Sequence, residues 1–144
     1  MYHVKYFTSV PYSVEQMFHL VNDINSYTQF IPGCNASKIL EQKDNELIAE
    51  MSLVINGMIK SLVTHNFFIK NKSIIIILVR GPFKSFYGYW KFVPITSTIS
   101  KIEYVSYYEF KSIFIEKFFN HIFKKKYKSI IKSFISRAEQ MYGM

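Results

Sequence analysis

The stretch VPYSVEQMFHLVNDINSYTQFIPGC, residues 10 to 34, carries the strongest signal for the fold. Ser13 and Gln16 have the spacing of a capping box, in which each side chain accepts a hydrogen bond from the backbone amide of the other residue. Tyr12 and Met17 have the spacing of a hydrophobic staple at the same helix start. Apolar side chains then recur at helical intervals, namely Val14, Met17, Phe18, Val21 and Ile24. The sequence predicts a short helix that begins after Ser13 and ends at the polar residues Asn22, Asp23 and Asn25.

The end of this stretch, YTQFIPGC (residues 27 to 34), is unusually apolar for a connection between elements. Connections normally run over the protein surface and are polar. We therefore expect this segment to cover an apolar feature of the fold.

Strand signals lie on both sides of the predicted helix. Alternating residues from His3 to Val10 predict a first strand that ends at Pro11. Between Cys34 and Phe110, turn segments separate runs rich in Ile, Val, Phe, Tyr and Leu. These segments are EQKDNE (41 to 46), NG (56 to 57), KNKS (70 to 73), RGP (80 to 82) and PITST (94 to 98). The pattern predicts about six further antiparallel strands.

A long helix is predicted from Ile113 to Tyr142, with Ser112 as its cap and Gly143 as its stop. Its apolar stripe comprises Ile115, Phe119, Ile122, Phe123, Ile130, Phe134 and Met141. A curved antiparallel sheet cannot bury its concave face alone, and this helix is available to close it. We predict an α+β helix-grip fold: one domain, residues 1–144, with a seven-stranded curved antiparallel sheet closed by the long C-terminal helix.

Composition narrows the class of protein. A chain of 144 residues fits one domain with a sizeable core. The single cysteine, Cys34, cannot form an internal disulfide, which favours a reducing cytoplasm. No export signal is apparent, and no apolar run approaches the roughly 18 residues that a membrane span needs. We expect a cytoplasmic protein without a transmembrane segment.

The formal net charge of +8 is compatible with an RNA-binding surface. Only two of the 18 basic residues, Arg80 and Arg137, are arginine, and Lys, Ile, Asn, Phe and Tyr are abundant together. An AT-rich coding sequence would produce the same bias. Codon usage is therefore an alternative source of part of the charge.

Three segments carry a family resemblance: residues 10 to 34, GPFKSFYGYWKF (81 to 92) and RAEQMYG (137 to 143). They resemble the corresponding segments of the RatA-type ribosome-association toxins. They are also similar to the START-like coenzyme Q-binding and polyketide cyclase-type proteins. The similarity implies a cavity between sheet and long helix, with Tyr27, Phe30, Ile31 and Pro32 beside its mouth. Ordinary core packing is the alternative for these residues.

Strand alternation selects further candidates for the cavity lining. Phe86, Trp90 and Phe92 share one face of their strand, and Tyr104, Tyr108 and Phe110 share one face of the next. The two tyrosine hydroxyls could contact a quinone carbonyl or, alternatively, protein or water. The long helix adds Phe119 as an inward residue. Lys126 lies within about 20° of the same direction, so its side chain either extends to the rim or projects into the cavity.

Opposite Phe119, the helix places Lys117, His121, Lys124, Lys128 and Lys132 in one outward row, flanked by Lys125. We predict that these lysines form a ribosome or RNA surface; the alternative is an ordinary solvated helix face. The resemblance implies the large ribosomal subunit as a partner and a small antitoxin protein as a further one.

No catalytic or metal-binding pattern is evident. His3, His19, His65 and His121 lack metal-ligand spacing, and Cys34 has no identifiable activating base. We expect a binding protein and not an enzyme, with no required cofactor and with ubiquinone or another lipid as the candidate bound molecule. Two functions follow from the resemblance: binding to the large (50S) ribosomal subunit that hinders subunit joining, or a ubiquinone or lipid chaperone for the respiratory chain without ribosome action. A cyclase-like enzyme is a third, weaker hypothesis.

Overall fold

A computed structural model describes residues 1–55 and 57–143, apart from the side chains of residues 118 and 119. The chain order is β1 (Tyr2–Val10), α1 (Val14–Asn22), a 3₁₀ helix (Ile24–Gln29), β2 (Cys34–Lys43), β3 (Glu46–Ile55), β4 (Met58–Ile69), β5 (Ser73–Arg80), β6 (Phe83–Pro94), β7 (Ser100–Phe110) and α2 (Ile113–Tyr142). The predicted Asn56 of the NG turn lies outside the described residues. The predicted strands and helices are present, and the 3₁₀ helix includes the first three residues of the apolar connection.

The seven strands form a single antiparallel sheet in the order β1-β7-β6-β5-β4-β3-β2. The predicted helix-grip fold is therefore confirmed. The first strand pairs with the last over its whole length, from Tyr2 opposite Tyr108 to Val10 opposite Ser100. At the other edge, β2 carries two register shifts and mostly exposed side chains. Such irregularities discourage pairing with another chain at an unprotected edge.

The capping box that the sequence predicts starts α1. The Ser13 hydroxyl accepts from the Gln16 amide at 3.1 Å, and Oε1 of Gln16 accepts from the Ser13 amide at 3.0 Å. A cap of this kind stabilises a helix by about 1 kcal/mol. It also directs the apolar side of α1 inward, where Met17 and Val21 are buried.

Helix α2 crosses the concave face of the sheet and is held by side-chain hydrogen bonds near both ends. Near its start, Tyr2 on β1 donates to the Glu116 carboxylate. At its end, the Tyr12 hydroxyl donates to the Gly143 carbonyl at 2.7 Å, and the Arg137 guanidinium donates to the Gln29 side chain at 2.7 Å. In the part of the chain that the structure describes, no helix is both long and apolar enough to cross a bilayer.

The inward stripe of α2 differs from the prediction near the C-terminal end. Met141 is 48% exposed, whereas Ile131 and Ala138 are fully buried. The buried positions Ile131, Phe134 and Ala138 follow a spacing of three or four residues, and Met141 continues that spacing into the last turn of α2. The prediction that Met141 is buried was wrong, because the helical repeat gives the direction of a side chain and does not say whether another element covers it at the end of the helix.

Candidate functional site

A small cavity lies between the concave face of the sheet and the second half of α2. Its volume is about 80 Å³. The lining comes from α2, the 3₁₀ helix region and strands β3 to β7: Ile24, Tyr27, Ile31, Ala49, Glu50, Met51, Leu62, Thr64, Asn66, Ile76, Phe86, Trp90, Tyr104, Tyr127, Ile130, Ile131 and Phe134. We call this cavity the first chamber.

A second chamber of about 40 Å³ lies beside the first, toward the start of α2. Met51, Leu62 and Tyr127 line both chambers and so form the partition between them. Met51 and Leu62 are directly opposite each other on β3 and β4. Tyr127 comes from α2 above them, and its hydroxyl contacts the Tyr104 hydroxyl. The partition therefore combines two residues of the sheet with one residue of the helix.

Several predicted lining residues lie in the walls of these chambers. Tyr27, Ile31, Phe86, Trp90 and Tyr104 line the first chamber. Phe110 lines the second. The apolar connection thus covers an apolar space, as its composition suggests. Ligand contact by these residues stays a prediction.

Three other candidates lie away from both linings, and their packing explains why. Phe30 packs against Tyr27 and Phe134, with ring centroids 5.9 and 5.3 Å away. Phe92 packs on Trp90 and on Phe18 of α1. Tyr108 is fully buried among Phe83, Phe110 and Phe123, and its hydroxyl has no hydrogen-bond partner among the described residues. These aromatic clusters fill the space that alternation alone assigned to the cavity.

The side chain of Phe119 lies outside the described residues. Lys126 does not appear in the described lining of either chamber. It is partly exposed, and a Cβ added at Gly33 would lie 3.1 Å from its Nζ atom. The ammonium therefore lies against the turn that ends the apolar connection. Gly33 has a φ of 78°, which favours glycine, and its missing side chain leaves room for this approach.

Replacing Lys126 by leucine tests this placement. We expect Lys126→Leu to be neutral or slightly stabilising, because a long charged side chain at an apolar rim loses hydration that leucine does not need. Binding of decylubiquinone should be unchanged. Urea unfolding and Trp90 fluorescence titration measure both quantities, with the exposed Lys125→Leu as control. A clear fall in decylubiquinone affinity for Lys126→Leu alone would contradict a rim position.

Thr64, Asn66 and Tyr127 are among the residues of the first chamber that sequence reasoning missed. Thr64 and Asn66 on β4 are buried, 8% and 4% exposed, and the Thr64 hydroxyl donates to Oδ1 of Asn66 at 2.8 Å. Tyr127 lies next to Lys126 in the sequence. A signal for the first two exists: alternation in THNFF places Thr64, Asn66 and Phe68 on one side of β4 and His65 and Phe67 on the other. Alternation does not say which side is buried.

The ionisable side chains around the first chamber are mainly phenols. Burial raises the pKa of Tyr27, Tyr104 and Tyr127 above the usual value for tyrosine. These hydroxyls are therefore protonated and neutral at physiological pH. The chamber offers hydrogen bonds and apolar contact, without a strong base among these groups.

The predicted basic row lies on the outer side of α2. Lys117, His121, Lys124, Lys125, Lys128 and Lys132 are all exposed. Cavity and basic row therefore occupy opposite sides of the same helix.

Comparison with known proteins places the chain in a family. A family model described as polyketide cyclase / dehydrase and lipid transport matches residues 10–135. This chain belongs to that family. The family includes proteins of different activities, so membership fixes the fold and leaves the function to the site.

Relatives of this family member confirm the resemblance that the sequence suggested. The ribosome association toxin RatA of Escherichia coli (strain K12) is 41% identical over 134 residues, which is 93% of this chain and 85% of RatA. The mitochondrial coenzyme Q-binding protein COQ10 homolog B of Xenopus laevis is 26% identical over 136 residues, 92% of this chain and 56% of that protein.

A solved structure shows the fold of this family member. The Zhui aromatase/cyclase from Streptomyces sp. R1128 superposes with a TM-score of 0.86, covering 96% of this chain and 94% of that chain. The two sequences are 11% identical. The likeness therefore concerns the fold alone.

Proposed function

We propose that this protein is a RatA-type binding protein that associates with the large (50S) ribosomal subunit and hinders subunit joining. The similarity to RatA over 93% of the chain supports this function most directly. A cytoplasmic location and a small antitoxin partner belong to the same proposal.

The exposed lysine row on α2 is the surface that we assign to ribosomal RNA. Its cations lie on one side of the helix, where they can approach a phosphate backbone together. Each lysine that neutralises a phosphate releases counterions, so binding of this kind weakens as the salt concentration rises. The separation of this row from the cavity allows RNA and a small molecule to bind at the same time.

The cavity supports a second part of the proposal, which is binding of a quinone or other lipid. The chambers are lined mainly by apolar and aromatic side chains, and the family description includes lipid transport. A ubiquinone or lipid chaperone without ribosome action is the second candidate function, favoured by the relative named as a coenzyme Q-binding protein. In both cases the protein binds and does not catalyse, and no cofactor is required for folding or activity.

Charge reversal on α2 tests the ribosome function. We expect Lys124→Glu, Lys128→Glu and Lys132→Glu together to abolish most cosedimentation with isolated large subunits. The slope of log affinity against log salt concentration should also fall by roughly 2 to 3, because each phosphate contact contributes about 0.7 to 0.9. These side chains face water, so the circular dichroism spectrum and the unfolding midpoint should change little.

A matched triple variant separates the effect of the lysine row on cosedimentation from the effect of net charge. Lys5, Lys43 and Lys101 are exposed on the sheet, and reversing these three changes the net charge by the same amount. This control should retain most cosedimentation. Equal loss in both triple variants would assign the effect to net charge, and unchanged cosedimentation of the α2 variant at several salt concentrations would remove the row from the interface. Absence of binding by the wild type would leave the chaperone as the function.

A further inference from the structure

The first chamber contains one buried polar group whose hydrogen-bonding capacity is incompletely used. Asn66 is 4% exposed, and its Oδ1 accepts from the Thr64 hydroxyl at 2.8 Å. For its amide nitrogen, no acceptor is found in residues 1–55 and 57–143. Asn66 lines the first chamber, so a water molecule or a ligand there can accept a hydrogen bond from this nitrogen.

The surroundings of Asn66 make this donor selective. Its direct neighbours across the sheet are Leu47 on β3 and Ile76 on β5, both apolar. Next to Ile76 on β6 lies Gly88, which adds no side chain to the chamber wall. The amide nitrogen thus belongs to a residue whose direct neighbours across the sheet are both apolar. A site of this kind favours a molecule with an oxygen acceptor at one end.

The second chamber has the opposite character. Leu53, Ile55, Phe83, Phe110 and Phe123 supply much of its wall, and the polar atoms of its lining contribute almost nothing to its surface. Such a space fits a hydrocarbon chain. The polarity of the two chambers therefore matches an amphiphile that has an oxygen-bearing head and an apolar tail.

The volumes of the two chambers indicate what the partition does when a ligand binds. An apolar cavity of about 150 Å³ accommodates benzene. The chambers, at about 80 and 40 Å³, are smaller than this even when taken together. A ligand with a ring and a tail therefore needs further space, which displacement of Tyr127, the helix residue of the partition, would open. This movement also breaks its contact with Tyr104 and frees the Tyr104 hydroxyl beside the first chamber.

We propose that Asn66 is the residue that selects an oxygen-bearing amphiphile: its amide donates to a carbonyl or hydroxyl oxygen of the head group, while the tail passes Tyr127 into the second chamber. The inference rests on the proposed cavity function and adds the class of ligand and the residue that recognises it. Asn66 contributes specificity through direct contact with the ligand. Tyr127 contributes by controlling access to the space for the tail.

Asn66→Leu tests the proposal, because leucine has nearly the same size and lacks the donor. The probes are decylubiquinone and decylbenzene, which share the tail and a six-membered ring but differ in oxygen atoms. Quenching of Trp90, the single tryptophan, reports decylubiquinone binding, and competition reports decylbenzene. We expect Asn66→Leu to weaken decylubiquinone binding roughly tenfold. Decylbenzene affinity should stay within about twofold, since apolar contact remains.

Two controls keep the result interpretable. His65→Leu changes the neighbouring residue of β4, whose side chain lies on the other face of the sheet, and should leave both affinities unchanged. Retained decylbenzene binding shows that Asn66→Leu is folded. If Asn66→Leu weakens both probes equally, or neither, the proposed role of Asn66 is overturned while the cavity function stands. If the wild type binds neither probe, the cavity function fails as well.

Discussion

Raising the pH above 10 is expected to unfold this protein steeply. Burial disfavours the charged phenolate and so raises the pKa of several tyrosines, with the largest shifts at Tyr27, Tyr104, Tyr108 and Tyr127. Burial raises the pKa of Tyr108 to about 12, and the unshifted value is 10.0. Between these values the unfolded chain loses protons that the folded protein retains, so stability is fully present below pH 10 and falls as the pH rises.

The expected size of this effect is large. Each such tyrosine lowers the free energy of unfolding by roughly 1.4 kcal/mol per pH unit, and four acting together lower it by roughly 5 kcal/mol per unit. Typical domains have only about 5 to 15 kcal/mol in total. We therefore expect unfolding to be complete near pH 12. Urea titrations at pH 9, 10 and 11, followed by circular dichroism, measure the slope.

The variant Tyr27→Phe tests whether buried tyrosines cause the fall in the free energy of unfolding with pH. The Tyr27 hydroxyl donates to the Val21 carbonyl in the interior, and Tyr27→Phe removes one titrating group. The slope above pH 10 should then fall by roughly 1.4 kcal/mol per unit, although the variant is less stable at neutral pH. Tyr87→Phe, which removes an exposed phenol from the outer face, is the matched control. A stability that is constant from pH 9 to 11.5 would contradict the burial of these phenols.

Replacing Trp90 by alanine is expected to cost about 3 to 5 kcal/mol of stability. Trp90 is 3% exposed and packs against Phe92, Tyr104 and Phe134, with ring centroids 6.2, 4.9 and 5.3 Å away. It also lines the first chamber, so its removal enlarges a space that is already present. Decylubiquinone retention should fall together with stability, because the largest wall of the chamber is lost.

Trp90→Phe is the matched control, since it keeps an aromatic ring in the same place. Its cost should be about half as large, because much of the apolar contact remains. Circular dichroism in urea measures both variants without a tryptophan signal. A cost below about 1 kcal/mol for Trp90→Ala, together with unchanged ligand retention, would show that the residue neither packs the core nor forms the cavity wall.

The elements of the fold were predictable because their signals are local. The cap at Ser13 depends on residues three positions apart, and strand ends depend on turn residues between runs of β-branched and aromatic side chains. The side of the helix on which each side chain lies also follows from the helical repeat. For these reasons the seven strands, both helices and the exposed lysine row could be predicted from the sequence.

The cavity was only partly predictable because its boundaries depend on packing between distant elements. Alternation placed Tyr104 and Tyr108 on the same face, yet Tyr104 lines the chamber while Tyr108 is enclosed by phenylalanines from β6 and α2. Asn66 was overlooked because a polar residue on a strand is usually directed to solvent. The position of Lys126 depended on how its long side chain meets a turn about ninety residues earlier, which no sequence period encodes.

The pairing of β1 with β7 also determines when the fold can be completed during synthesis. Strand β1 is made first, but β7, the neighbour that it pairs with, is the last strand to be made. Contacts between distant segments form slowly because closing a long loop costs entropy before the contact is gained. The hairpins from β2 to β7 need only adjacent segments, whereas β1 must wait, and α2 follows later still. Until then the apolar concave face of the growing sheet is uncovered, so the nascent chain passes through a period in which it is prone to aggregate.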